Sequence, residues 1–119
     1  MRAFLRILIV ISVPFVLTMG VVRIFTLPWY PAWAYDRAAF PADPGSMPEA
    51  WRLYLAQRCI GYLNLPRGVV SLEELHLLDG APAFNDREIS HMADVKRVYD
   101  QLAAFAAVAL VASIAAGWV

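Results

Sequence analysis

The stretch ILIVISVPFVLTMGVV, from Ile7 to Val22, decides the fold. It carries no charge; Arg2 and Arg6 precede it and Arg23 follows. Phe4 and Leu5 on one side, and Ile24 to Leu27 on the other, bring the apolar run close to the roughly 20 residues that a bilayer-spanning helix needs. Pro14 lies mid-run and predicts a kink, which a helix in lipid tolerates when neighbouring groups satisfy its backbone. A cleaved leader is the rival reading, because the start is basic and Ala32-Trp33-Ala34 has the A-x-A form of a cleavage site. The run is long for a leader core, however, and the aromatic residues around Trp33 would fall inside the cleavage region. A retained helix is the expectation.

Working outward, LPWYPAWAY follows at once. Trp29, Tyr30, Trp33 and Tyr35 carry the amphipathic rings that favour the headgroup level of a membrane. A second uncharged run, LAAFAAVALVASIAAGWV, occupies Leu102 to Val119. It is rich in alanine, with small residues recurring at helical spacing: Ala103 and Ala107, Ala112 and Ala116, Ser113 and Gly117. Such faces let helices approach closely in lipid, so this segment is expected to have further transmembrane helices as neighbours. No polar anchor follows Val119, and the chain reads as truncated.

Composition agrees. The 119 residues are 61% hydrophobic and 17% charged, with a mean hydropathy of +0.55. Soluble domains carry about 25% charged residues, and a chain this short cannot bury so much apolar sequence unaided. Net charge is zero and no basic stripe stands out, which argues against nucleic-acid binding. All ten acidic residues lie between Leu27 and Asp100, whereas the tail before the first run has Arg2 and Arg6 and no acid. The tail is therefore placed in the cytoplasm and the central segment outside. The single Cys59 cannot form an internal disulfide and reads as a small apolar residue on a helix.

The central segment predicts three helix starts. Ser46-Met47-Pro48-Glu49 fits a capping box, and the helix it opens would carry Trp51, Leu55, Cys59 and Tyr62 on one stripe. Ser71-Leu72-Glu73-Glu74 repeats the signature before a short element ending at Asp79-Gly80. Asn85-Asp86-Arg87-Glu88 is a third cap, and no breaker follows until Gly117. One helix of roughly 50 Å is expected from there. Residues from Tyr30 to Pro48 are rich in proline and predict an ordered, irregular lip. No strand pattern, internal repeat or low-complexity tract occurs. The expectation is an all-α membrane protein: a transmembrane helix over 1–27, an extracytoplasmic helical segment over 28–100, and a second transmembrane helix over 101–119.

Three groups of residues invite chemistry. Glu88, His91 and Asp94 at i, i+3 and i+6 share one side of a helix, with Arg87 four residues before His91. A histidine flanked by carboxylates can work as a base near neutral pH, and the bland alternative is a solvated polar turn. A metal is a third option, since Glu88-x-x-His91 offers two ligands and His76 beside Glu73 and Glu74 is the other candidate, but neither group completes a ligand set. Arg23, near the end of an apolar helix, either snorkels or meets an anion such as Glu88, Asp94 or a lipid phosphate. No P-loop, GxSxG or CxxC occurs, and no cofactor or metal is called for.

The stretch AFNDREISHMADVK, Ala83 to Lys96, resembles the motif of a family of bacterial integral membrane proteins that includes the lipoprotein intramolecular transacylase. LPWYPAWAY after the first helix and LHLLDG before the motif fit the same plan. The resemblance implies an enzyme at the outer face of the cytoplasmic membrane. It would move an acyl chain from the glyceryl group of a lipoprotein's N-terminal cysteine to that cysteine's own α-amino group. On this footing His91 is the general base or acid, and Glu88, Asp94 and Arg87 orient it or neutralise charge. Family members have four spanning helices, so two further helices are expected beside the two found here. The implied partners are membrane lipid and a lipidated protein. The competing expectation is a non-catalytic small membrane protein that supports assembly.

Overall fold

The computed structural model describes residues 2–42, 44–45, 47–68 and 70–117. Among them are four helices and no strand: α1 (Arg2–Phe25), α2 (Trp29–Tyr35), α3 (Glu49–Asn64) and α4 (Asp86–Gly117). The chain divides into two units, one formed by Met1–Ile24 with Arg97–Val119 and the other by Phe25–Lys96.

In the first unit α1 and the later part of α4 run antiparallel. Phe15 meets Phe105 edge to face with ring centres 5.1 Å apart, and Arg23 meets Tyr99 further along. α1 continues through Pro14, so the proline does not end it. The Thr18 hydroxyl donates back to the Pro14 carbonyl at 2.8 Å, and the Ser113 hydroxyl does the same to Ala109 on α4. Both helices are long and apolar enough to cross a membrane. Val10, Ile11, Leu17, Phe105, Val108 and Val111 remain 62% to 69% exposed. Two helices cannot bury a side chain on every face, and apolar patches this continuous mark a surface meant for lipid or for other helices.

The second unit has a small core of Leu55, Val70, Leu72 and Leu75, with Trp51, Cys59, Tyr62, Phe84 and Met92 packed around it. The stripe expected on α3 is thus the face that is buried. Three expectations are corrected. The proline-rich lip is partly helical: α2 covers Trp29–Tyr35, because a proline at Pro28 presets its entry and Pro31 falls in its first turn, where no amide partner is required. The first capping box does not set the start of α3. Ser46 lies outside the described residues, and the helix begins at Glu49 after Pro48, with no side-chain cap. Proline disfavours helical geometry in the residue before it, which removes Met47 from the first turn.

The element expected after Ser71 is not a helix. Residues 71–83 form tight turns closed by a bridge between His76 and Pro82, with Leu77 and Ala83 donating to the Ala81 and Leu75 carbonyls at 2.7 and 2.8 Å. The run before Gly80 is too short to repay helix nucleation, and the turn buries Leu72 and Leu75 directly. Gly80 sits at φ 86°, a backbone region costly for residues with a Cβ.

Candidate functional site

The third cap is present in full. Asn85 Oδ1 accepts from the Glu88 amide at 3.0 Å, and Glu88 Oε2 accepts from the Asn85 amide at 2.8 Å. This reciprocal pair satisfies two amides that the helix leaves orphaned, and Asp86 and Glu88 in the first turn suit its positive end. α4 then runs without interruption to Gly117, as the absence of breakers predicts.

All four candidate residues ride on this helix and all are exposed: Arg87, Glu88, His91 and Asp94. The carboxylate of Glu88 is engaged in the cap. Among the described residues no hydrogen bond joins His91 to Glu88, Asp94 or Arg87. The imidazole is presented to the surroundings rather than locked to a neighbour. His76, the other histidine, is also exposed, with Nδ1 2.9 Å from the Glu74 carbonyl. Donation from Nδ1 would fix the tautomer and leave Nε2 as an acceptor. Leu75 and Leu77, which flank His76, pack in the same core as Met92, the neighbour of His91. One hydrophobic cluster therefore holds both histidine-bearing segments.

Arg23 belongs to the first unit. Its Nη1 donates to Tyr99 Oη at 2.9 Å, and the guanidinium lies 5.5 Å from the centre of the same ring. Tyr99 is buried, so the arginine expected to snorkel or pair has a neutral hydroxyl as one partner.

Lys96 and Asn64 were not singled out by the sequence pattern. Lys96 is only 3% exposed and donates from Nζ to the Leu63 and Leu65 carbonyls at 3.2 and 3.0 Å. It thereby caps the carbonyl end of α3, where a cation opposes the helix dipole. Asn64 donates from Nδ2 to Ile60 at 2.9 Å and also to the Thr26 carbonyl. One signal was legible: Lys96 falls four residues after Met92, on the stripe that faces the core. Cys59 lies against that core, and burial pushes its thiol pKa up. Arg37 stacks over Trp33 at 4.2 Å, and Arg52 over Tyr35 at 5.4 Å while donating to the Pro41 carbonyl.

Comparison with known proteins agrees with the motif. The family model "Lipoprotein intramolecular transacylase Lit" matches residues 6–119. An uncharacterised protein of Aquifex aeolicus (strain VF5) is 33% identical over 97 residues, which cover 82% of this chain and 45% of that protein. The chain thus spans about half the length of this relative. No solved structure matches. With the family model covering nearly the whole chain, and Asn85 to Lys96 forming the capped start of α4, this chain belongs to the lipoprotein intramolecular transacylase family.

Proposed function

We propose that the chain is part of an acyltransferase acting on lipidated proteins at the outer face of a bacterial cytoplasmic membrane, with α1 and α4 in the bilayer. The family match over residues 6–119 carries the reading. The exposed His91, held on a capped helix, supplies the chemistry.

In this reading the free α-amine of the lipoprotein's N-terminal cysteine attacks the carbonyl carbon of a glyceryl ester. A nitrogen–carbon bond forms while His91 takes the amine proton, and the carbonyl oxygen becomes an oxyanion. The oxyanion then collapses, the bond between the acyl carbon and the glyceryl oxygen breaks, and the imidazolium returns its proton to the departing glyceryl oxygen. The products are an amide and a free hydroxyl. Arg87 is the candidate to neutralise the oxyanion, since charge developing in the transition state rewards a fixed cation. Asp94 would orient the imidazole. Glu88 acts through the helix start that it caps.

The test expresses the complete reading frame that encodes this chain in a host lacking the activity, with mass spectrometry of lipoprotein N-termini. The lyso form should appear with the native sequence. His91→Ala should lower the conversion about 10²- to 10⁴-fold, the usual worth of a general base, at an unchanged protein level. Persistence of the diacyl form alone with the native sequence rejects the reading. A second reading, a non-catalytic assembly partner, is favoured by the exposed apolar faces of α1 and α4. It expects the opposite pattern: His91→Ala harmless, and bulky residues at Ala107 or Ala112 disruptive.

A further inference from the structure

In the second unit the aromatic rings around α2 form one connected cluster. Phe25, the last residue of α1, meets Tyr30 edge to face with ring centres 5.1 Å apart, and Tyr30 lies 5.9 Å from Trp33. Trp29 and Trp33 remain 46% and 47% exposed. Four residues on, Arg37 sets its guanidinium over the Trp33 indole, 4.2 Å from the ring centre. Among the described residues this ring is the one partner of the Arg37 side chain. Such stacking uses the face of the guanidinium and leaves its N–H donors at the edge, in a planar fork that matches phosphate.

The same residues line a cleft of about 690 Å³, to which α2 contributes Tyr30 and Trp33 and the turn after it contributes Phe40 and Pro41. The turn is held in place from three sides. The Phe40 amide donates to the Arg37 carbonyl at 2.8 Å, the Phe40 ring stacks on Tyr35 at 4.1 Å, and Arg52 of α3 donates to the Pro41 carbonyl. The cleft is thus formed in advance of any ligand. Among the described residues Arg37 is the one charged group in its lining. Its volume falls within the roughly 300–1,000 Å³ of small-molecule clefts, and a mostly apolar lining with one fixed cation suits an amphipathic anion.

The start of the cluster names the occupant. Phe25 ends a helix apolar enough to cross a membrane, and α2 follows after only three residues, so the exposed indoles belong at the headgroup level. The anions available there are lipid phosphates. We propose that this cleft binds the headgroup of an anionic membrane phospholipid, with Arg37 on the phosphate and Trp33 holding the guanidinium. This rests on α1 lying in the bilayer, and not on the transacylation.

The experiment uses the full chain in neutral detergent micelles doped with equal amounts of phosphatidylglycerol and phosphatidylcholine bearing the same acyl chains, read by native mass spectrometry. Phosphatidylglycerol should be retained in preference to phosphatidylcholine by roughly tenfold, the size of one charge-assisted hydrogen bond. Equal retention, or none, overturns the proposal from the native protein alone. Arg37→Gln should bring the two lipids to parity, with circular dichroism confirming that the helices persist; an undiminished preference also overturns it. Arg67, an exposed arginine outside the cleft, is the control for net charge. Arg67→Gln should keep the preference, and a loss equal to that of Arg37→Gln would reduce the effect to overall charge and refute a site. Glycerol 1-phosphate in large excess should leave the lipid bound, whereas its displacement would show a site for a soluble phosphate and not for a membrane lipid. His91→Ala should retain phosphatidylglycerol like the native chain, so failure of the transacylase reading leaves this result standing.

Discussion

At the residue scale, Lys96 is a buried polar group outside the four candidate residues. Its ammonium is buried and caps the end of α3 through two carbonyls. Lys96→Met keeps much of the side-chain volume but leaves both acceptors without that donor, which costs about 1–3 kcal/mol. Chemical denaturation in detergent should show the loss, and a midpoint equal to the native one would refute the capping role. Cys59 gives a pH-dependent counterpart. Its thiol pKa is raised above the ordinary 9.0 by burial. Alkylation at pH 8 should therefore be slower in the folded protein than after unfolding, because the thiolate is the nucleophile. The sign for stability follows. The folded state keeps its proton to higher pH than the unfolded chain does, so this contribution is complete below the ordinary thiol value and declines as pH rises above it.

At the scale of elements, α4 shows how local sequence and packing share the outcome. Its start was legible from Asn85-Asp86-Arg87-Glu88, because a capping box is local chemistry and needs no partner from elsewhere in the chain. Asn85→Ala should cost about 1 kcal/mol. It should fray the first turn of the helix, seen as faster amide exchange at Arg87 and Glu88, while exchange beyond Tyr99 stays unchanged. Uniform exchange along α4 would contradict that picture. The two other signatures look alike in one dimension but gave different results. Pro48 displaced the start of α3, and Leu72 and Leu75 found burial in a turn before a helix had room to form. The box on its own specifies a cap, and whether a helix follows depends on its length and on what its neighbours bury.

At the scale of the molecule, the exposed apolar sides of α1 and α4 require a solvent other than water or further helices. The expected outcome is recovery of the expressed chain in the membrane pellet after ultracentrifugation, with release only by detergent. Recovery in the supernatant would remove the membrane reading and the chemistry attached to it. The same reasoning orders the functional proposals. The chain belongs to the lipoprotein intramolecular transacylase family and spans about half the length of its relative, and transacylation is the activity proposed for it.

Hydropathy and spacing alone determined the two long apolar helices, the cap at Asn85, the α3 stripe from Trp51 to Tyr62 and the linear order Arg87, Glu88, His91, Asp94. These are set by interactions over a few residues, or by the bulk preference of a continuous run for an apolar solvent. Only the tertiary structure decided that Lys96 closes the end of α3, that Arg23 meets Tyr99, that the segments bearing His76 and His91 share one core, and that Arg52 reaches back to Tyr35 and Pro41. Each of these depends on contacts across more than ten positions in the chain, where packing geometry selects the partner and no local pattern records it.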